Sequence, residues 1–281
     1  MKRLSIAVCL IAVLGMAGNA FALAHTWGGG SESWNTLSSW WMDLWGTNAT
    51  APATELPSFT YYVNFGGDRA PGSSYNGVTM SGTLPTNAST IGDGVDAKGK
   101  GVTLAGRNSP QNMTMTIEAG GTLTTEQLLR VGTDWYKGNV GGSYINSPSD
   151  SDHTITTAGT VNVGTYLQIG ASTGSSNQAS NSIGRMLITG GIVKVNQETD
   201  GVQFGTGDRT PYIEISNDGE LWWSGSHTST VNGWLSTGTN NIRGDGLTIV
   251  EEDGWTKVLI PEPATVAILG LGSLVLLRKR R

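Results

Sequence analysis

The chain has 281 residues, of which 41 are glycine, about twice the usual share, whereas charged residues make up 14% against about 25% in an average protein. Hydrophobic residues still account for 37%, which is enough for one sizeable core, so wholesale disorder is excluded. Collagen is excluded too, because the glycines have no three-residue period and only 9 prolines are present. The single cysteine, Cys9, lies in an N-terminal segment that we expect to be removed, so neither disulfides nor a cysteine-based zinc site can form.

Residues 1–24 have the charged, apolar and small-residue order of a secretory signal peptide. A basic pair at positions 2 and 3 precedes the apolar run 4–16, and cleavage after Ala22 or after Ala24 fits equally well. An uncleaved membrane anchor would need about 20 apolar residues, and this run is shorter. We therefore predict that the protein is secreted through the inner membrane and that its N-terminal signal helix is cleaved off.

The C-terminal residues contain a second targeting signal, which has three parts. Pro261, Glu262 and Pro263 come first, the apolar stretch 264–277 follows, and a basic cluster closes the chain. That cluster consists of Arg278, Lys279, Arg280 and Arg281. As a helix, the apolar stretch would span about 21 Å at about 1.5 Å per residue, short of the roughly 30 Å hydrocarbon core. The basic residues favour the cytoplasmic side, which leaves the body outside the inner membrane.

This order of parts resembles the PEP-CTERM sorting signal of Gram-negative envelope proteins, over residues 259–281. The resemblance implies that an exosortase, a sortase-like membrane protease, recognises the tail and transfers or releases the protein at the cell envelope or into the extracellular matrix. Helix 264–277 would then be a transient or retained transmembrane helix, in a bacterium of a kind that often makes exopolysaccharide. An ordinary C-terminal anchor is the alternative, and the tail says little about the body.

The body between these two ends is acidic. Without the six basic residues of the termini, 11 of the 17 Lys and Arg remain, against 21 of the 22 Asp and Glu once Glu262 is set aside. The resulting charge of about minus ten argues against nucleic acid and anionic lipid as partners, because both need basic patches. Extracellular polysaccharide of neutral charge and divalent cations are easier to accommodate.

Residues 91–258 contain a repeat of about 28 to 38 residues built around turn glycines. Apolar and polar residues alternate on both sides of each turn glycine, and these glycines are Gly121, Gly159, Gly191 and Gly219. A second short strand closes on a glycine in three of the units, at Gly132, Gly170 and Gly205. Alternation with period two, rich in Val, Ile and Thr, predicts half-buried strands. We predict almost no helix outside the two termini.

One such repeat cannot bury its apolar face alone, whereas coils stacked over a shared core bury the apolar faces of all the repeats. We therefore predict an all-β body, folded as a right-handed parallel β-helix. The alternative is an antiparallel β-sandwich, because glycine turns between short strands also make hairpins.

Residues 25–90 precede the repeats and are rich in tryptophan. Five tryptophans fall within nineteen residues: Trp27, Trp34, Trp40, Trp41 and Trp45. The run Trp-Gly-Gly-Gly, a second Trp and then Ser39-Trp40 loosely resembles the start of autotransporter-like β-helix proteins. We expect these tryptophans to belong to a cap over the open end of the β-helix, because exposed coils invite end-to-end aggregation. A carbohydrate-stacking platform is the alternative, if the rings are exposed.

The sequence gives little sign of an enzyme, and we predict a non-enzymatic protein. The histidines do not pair at metal-ligand spacing, and His153, beside Asp150 and Asp152, is expected in a solvated loop. The alternative is a lyase of the β-helix type, which would use carboxylates, calcium and an arginine base. Asp208 with Arg209 and Arg243 with Asp245 are its nearest candidates, with Asp200, Glu214 and Asp218 as further carboxylates on neighbouring coils.

We predict no bound cofactor or metal, with calcium as the exception that remains open. Three turns could each offer it a carboxylate: Gly92-Asp93-Gly94, Asn217-Asp218-Gly219 and Gly244-Asp245-Gly246. They lack the nonapeptide period of calcium-binding β-rolls, and Asp-Gly is also favourable turn chemistry.

Trp222, Trp223 and Trp234 are the candidate glycan-stacking residues. Neighbouring residues on a strand face opposite ways, so one of Trp222 and Trp223 should be buried and the other exposed. An exposed indole together with Trp234 could stack on sugar rings, and packing under the loop 224–233 is the alternative. The leading hypothesis is thus a secreted envelope protein with a structural or adhesive role in the extracellular matrix, and the alternative is a polysaccharide-binding protein or polysaccharide lyase.

Overall fold

The computed structural model describes most of the body and neither end of the chain. The described residues are 22–27, 33–44, 49–60, 62–65, 74–75, 78–79, 88–104, 113–132, 152–170, 183–205, 210–236 and 240–261. The predicted signal helix up to residue 21 and the tail from residue 262, with its apolar stretch 264–277 and basic cluster, lie outside them.

The described residues are mostly β-strand, which confirms the all-β prediction for the body. The strands are β1 (Ala22–Trp27), β2 (Trp40–Leu44), β3 (Ala49–Pro52), β4 (Tyr62–Phe65), β5 (Ser74–Tyr75), β6 (Val78–Thr79), β7 (Ala88–Ile91), β8 (Asp96–Gly99), β9 (Gly101–Leu104), β10 (Met113–Ile117), β11 (Thr122–Thr125), β12 (Leu129–Val131), β13 (Asp152–Thr157), β14 (Thr160–Val163), β15 (Leu167–Ile169), β16 (Ile183–Ile188), β17 (Ile192–Val195), β18 (Val202–Phe204), β19 (Tyr212–Ile215), β20 (Glu220–Ser224), β21 (Ile242–Arg243), β22 (Thr248–Glu252) and β23 (Trp255–Leu259). A 3-10 turn spans Leu37–Ser39 and one α-helix, α1, spans Thr228–Leu235.

The strands form three large sheets that the chain visits in turn. Sheet 1 has the order β21-β19-β16-β13-β10-β7, sheet 2 the order β22-β23-β20-β17-β14-β11-β8, and sheet 3 the order β18-β15-β12-β9-β4-β1-β2-β3. Between β7 and β20, each strand pairs in parallel with the strand three positions further along the chain. An antiparallel sandwich would pair these strands differently. Antiparallel pairs occur at the two ends, in β1–β2–β3 and β20–β23–β22, and in the small β5–β6 pair.

In-register pairing stacks apolar side chains of successive turns into rows inside the three sheets. These side chains are all buried, and they recur at every second position as the sequence alternation predicts. One row from each sheet is Met115, Ile155, Met186 and Ile213 in sheet 1, Leu123, Val161, Val193 and Leu221 in sheet 2, and Leu104, Val131 and Ile169 in sheet 3. Each such side chain stabilises the fold by about 1.5–3 kcal/mol through burial, so the rows supply one continuous core.

The predicted turn glycines stack on one another where the chain passes from sheet 1 to sheet 2. We call this line of residues the glycine corner, and it contains Gly121, Gly159, Gly191 and Gly219. A Cβ atom added at any of them would lie under 3.0 Å from a backbone carbonyl oxygen of the preceding turn. The N–H of Thr160 donates to the carbonyl of Gly121 at 2.9 Å, and the N–H of Ile192 donates to that of Gly159 at 3.1 Å. Backbone therefore packs directly on backbone here, which only glycine allows.

An aromatic cluster lies at the N-terminal end of the stack, where the sequence predicts a cap. Trp34 and Trp40 are 2% and 0% exposed, and each packs on Phe65 with ring centroids 5.8 and 5.6 Å away. The N–H of Trp34 donates to the carbonyl of Thr90 in β7 at 2.8 Å, which ties the cluster to sheet 1. These two rings are not an exposed carbohydrate platform. The side chains of the other three predicted members, Trp27, Trp41 and Trp45, lie outside the described residues.

The helix α1 corrects the expectation of a loop at 224–233, whereas its eight residues remain consistent with the prediction of almost no helix between the termini. Its local sequence is a weak helix signal, with Gly233 inside it. A carboxylate from a later strand supplies the missing support, because Glu251 accepts hydrogen bonds from the hydroxyls of Ser226 and Thr228, each at 2.7 Å, and from the Thr228 N–H at 3.3 Å. These hydrogen bonds hold the pKa of Glu251 below its usual value. A capping group that comes from a distant strand leaves no local signature in the sequence.

The glycine corner makes a stability prediction. Replacement of Gly159 by alanine should lower the free energy of unfolding by about 3 kcal/mol, because the added methyl group forces two stacked turns apart. Gly233→Ala is the matched control, since nothing lies within 4 Å of its Cβ position and alanine in a helix gains up to about 1 kcal/mol over glycine. Urea unfolding of both variants measures the difference. Equal stabilities for the two variants would show that the turns do not stack at this corner.

Candidate functional site

Trp222 and Trp223 face opposite ways on β20, as the strand alternation predicts. Trp223 points inward and is 5% exposed, and its indole N–H donates to the carbonyl of Gln197 at 2.9 Å. The ring of His227 stacks on it at 3.5 Å between centroids, and the ring of Trp234 lies nearly parallel to it at 5.5 Å. Phe204 packs against Trp234 at 5.0 Å. Trp223 and Trp234 therefore belong to an aromatic cluster between β18, β20 and helix α1.

Trp222 lies on the outer face of sheet 2, in one cross-strand row with two lysines. Lys194 and Lys257 are its register partners in β17 and β23, and their Nζ atoms lie 4.5 and 4.3 Å from its ring centroid. The indole N–H donates to the carboxylate of Glu220, and the ring of Trp255 lies 6.0 Å away. The structure thus brings Trp223 and Trp234 together and leaves Trp222 on another surface. A glycan-stacking role for these three residues stays a prediction.

The predicted carboxylate and arginine candidates are only partly within the described residues. Asp208 and Arg209 lie outside them. Glu214 and Arg243 are register partners on β19 and β21, on the outer face of sheet 1. Asp200, Asp218 and Asp245 each lie in or beside a turn that contains a residue with positive φ, Asp200 itself among them. Of the predicted set, the structure therefore places Glu214 and Arg243 side by side.

Tyr212, which the sequence did not single out, holds Arg243 in place. The Arg243 guanidinium carbon lies 3.9 Å from the ring centroid of Tyr212, and its Nε donates to the carbonyl of Asn240 at 2.9 Å. A second guanidinium, that of Arg185, lies 5.9 Å from the same ring and forms an ion pair with Asp152 at 3.0 Å. The alternation of β16 and β19 was a usable signal, because it places Arg185 and Tyr212 on the same outer face, but the register between the strands was unknown.

The turn carboxylates give no metal site that the geometry identifies. Within the described ranges, no three His, Cys, Asp or Glu side chains lie together as a metal ion would need. The Asp-Gly turns contain glycines with positive φ, at Gly94 and Gly246, which fits their expected turn chemistry. Calcium binding stays an untested expectation.

His153 is not in a solvated loop, which corrects the sequence-based expectation. It lies in β13, is fully buried, and has Met113 and Gly184 as its register partners. Burial disfavours the charged imidazolium and lowers the pKa of His153 to about 4, with the nearby charge of Asp152 acting in the opposite direction. The ring is therefore neutral at pH 7 and belongs to the interior of the fold.

Comparison with known proteins identifies the tail. Residues 259–281 match the family model of the PEP-CTERM protein-sorting motif. The match confirms the predicted sorting motif, and processing by an exosortase with export to the cell envelope or the extracellular space follows from it. Nothing among the curated proteins or the solved structures matches the chain. None of the helices in the described ranges has the length and apolar character of a membrane span, and the stretch 264–277 lies outside those ranges.

The burial of His153 predicts a specific dependence of stability on pH. The pKa of this histidine is about 4 in the folded protein and near 6.5 in the unfolded chain, so the unfolded chain binds the proton more readily. The stabilisation is complete above pH 6.5 and is lost as the pH falls towards 4, by about 3 kcal/mol in total. In the variant His153→Gln, urea unfolding should therefore depend less on pH between 6.5 and 4. The same slope in both proteins would contradict the buried position.

Proposed function

We propose that this chain is a secreted envelope protein whose body is a right-handed parallel β-helix with a structural or adhesive role in the extracellular matrix. The sorting motif at residues 259–281 supports the secreted envelope protein, because it directs the protein to the cell surface. The passage of the chain through three mainly parallel sheets in turn supports a β-helical body. A right-handed sense is the usual one for parallel strands joined by crossovers.

The junction between body and tail supports a position close to the membrane. The motif begins at Leu259, which is the last residue of β23. This strand is held between β20 and β22 in sheet 2, so the folded body ends where the motif begins. The body would therefore stand next to the membrane surface before an exosortase acts, without a long linker between the two.

The outer faces of the sheets form an extended surface, which suits a structural role better than a solvent-filled cleft would. On β10 and β13 the outward positions are occupied by Thr114, Thr116, Thr154 and Thr156, with Asp152 at the start of β13. Threonine favours strands, and its hydroxyl keeps the surface wet without adding charge. Such faces can contact other matrix polymers along several turns at once.

The second candidate is a polysaccharide-binding protein or a polysaccharide lyase. The observation that favours it is the adjacency of Glu214 and Arg243 on sheet 1, because a carboxylate beside an arginine is the pairing that such chemistry uses. Asp208 and Arg209 would have to join them for a lyase, with calcium as the metal ion that the carboxylates would hold.

The sorting half of the proposal is tested at the two prolines of the motif. Changing Pro261 and Pro263 to alanine keeps the apolar stretch and the basic cluster, so membrane insertion should survive while processing fails. The physical reason is that the prolines hold the chain out of helix just before the membrane and present Glu262 in extended form. The measurement compares the mass and location of both proteins in a host that encodes an exosortase.

A body substitution, Pro211→Ala, is the control, and it should be processed like the wild type. Identical processing of wild type and double variant would show that the tail is an ordinary anchor.

A further inference from the structure

The outer face of sheet 1 holds a carboxylate and a guanidinium that lie side by side without forming an ion pair. Glu214 and Arg243 are cross-strand partners, so their Cα atoms are about 5 Å apart and their side chains leave the same face. Opposite charges at such positions usually meet. Among the described residues, however, Glu214 has no hydrogen bond or ion pair, and its side chain is exposed.

Arg243 is held away from Glu214 by two other contacts. Its guanidinium lies on the ring of Tyr212 at 3.9 Å, and its Nε donates to the carbonyl of Asn240 at 2.9 Å. Its two terminal nitrogens have no hydrogen-bond partner among the described residues. A planar donor group is thus fixed in position, and no described residue accepts a hydrogen bond from its outer edge. Stacking on an aromatic ring orients a guanidinium without using its hydrogen-bond donors.

A fixed guanidinium beside a carboxylate that no described residue pairs with complements the two neighbouring hydroxyl groups of a sugar ring. A carboxylate accepts a hydrogen bond from one hydroxyl, and a guanidinium donates to the oxygen of the next. The net charge of this pair is zero, and the body as a whole is acidic, so neither favours a polyanion. Both observations point to a neutral sugar.

The same face extends the contact along several turns. Register pairing places Thr154, Arg185 and Tyr212 in one outer row, and Thr156, Leu187 and Glu214 in the row beside it. Successive strands are about 4.8 Å apart, so the face from β10 to β21 is about 19 Å long. A linear polymer lying across the strands could contact hydroxyl groups of threonine at one end and Glu214 and Arg243 at the other.

We propose that the outer face of sheet 1 binds a neutral linear polysaccharide, with Glu214 and Arg243 holding the neighbouring hydroxyls of one sugar unit and Tyr212 positioning Arg243. The proposal deepens the matrix role proposed above, since it names the class of matrix polymer. Trp222 is a weaker candidate for the same role, because two lysine ammonium groups already lie within 4.5 Å of its ring centroid.

The test is affinity electrophoresis of the exported full chain in gels that contain dextran, hydroxyethylcellulose or alginate. We expect retardation by at least one of the two neutral polymers and weaker retardation by acidic alginate. Glu214→Gln and Arg243→Gln should each weaken binding about tenfold, as expected for loss of a hydrogen bond to a charged group. Arg243→Lys should also weaken it, since lysine keeps the charge and lacks the planar fork.

The matched control is Glu126→Gln, which removes another exposed carboxylate, from a turn of a different corner. It should change binding less than twofold. The proposal is overturned if neither neutral polymer retards the protein, if alginate retards it more strongly than both, or if Glu126→Gln weakens binding as much as Glu214→Gln. Thermal unfolding of each variant identifies any that fails to fold. A protein that is sorted normally and binds neither neutral polymer would overturn this inference and leave the sorting function intact.

Discussion

The close approach of backbone to backbone at the glycine corner fixes how successive turns of the fold stack on one another. Each turn there donates a hydrogen bond to the turn before it, as Glu220 does to the carbonyl of Gly191 at 3.0 Å. A bond at this corner fixes the register of the strands on both sides. Since the side-chain period of a strand is two, a slip of one residue would turn every inward side chain outward. The register therefore determines which side chains are buried in the core and which are exposed on the surface.

The surface clusters follow from the same register. The outer faces of the sheets carry cross-strand rows as well, with lysine and tryptophan on sheet 2 and threonine, arginine and tyrosine on sheet 1. Contacts such as that of Arg243 with Tyr212 join strands that are about 30 residues apart in the chain. Parallel stacking is what makes such distant residues neighbours.

Much of the fold could be predicted because the pattern of each repeat lies in residues that are adjacent in the sequence. The glycine at each turn, the alternation of each strand and the opposite facing of Trp222 and Trp223 all follow from a few adjacent residues. The tail motif was equally readable, since its three parts are contiguous. What could not be predicted depends on contacts between turns. Helix α1 needs the distant carboxylate of Glu251, and the fixed position of Arg243 needs Tyr212 from the preceding turn.

His153 shows a third kind of limit. Its neighbours in sequence are aspartates and threonines, which suggest a solvated loop, yet strand pairing places it inward between Met113 and Gly184. At Gly184 a Cβ atom would lie 2.0 Å from the carbonyl oxygen of Val131, so backbone fills the space beside His153 in this row. Composition around a residue therefore says less about its burial than the register of its strand does.

The register itself can be measured by disulfide formation between cysteine pairs on sheet 1, in a background that carries Cys9→Ser. Thr116 and Thr156 are outward register partners, whereas Thr116 and Leu187 lie two strands apart in the same row. The Cα atoms of the first pair are about 5 Å apart, within disulfide range, and those of the second are about 10 Å apart, beyond it. Stacked turns predict that Thr116→Cys/Thr156→Cys forms a disulfide under mild oxidation and that Thr116→Cys/Leu187→Cys does not. Equal yields from the two pairs, or a disulfide only in the second, would contradict the stacking.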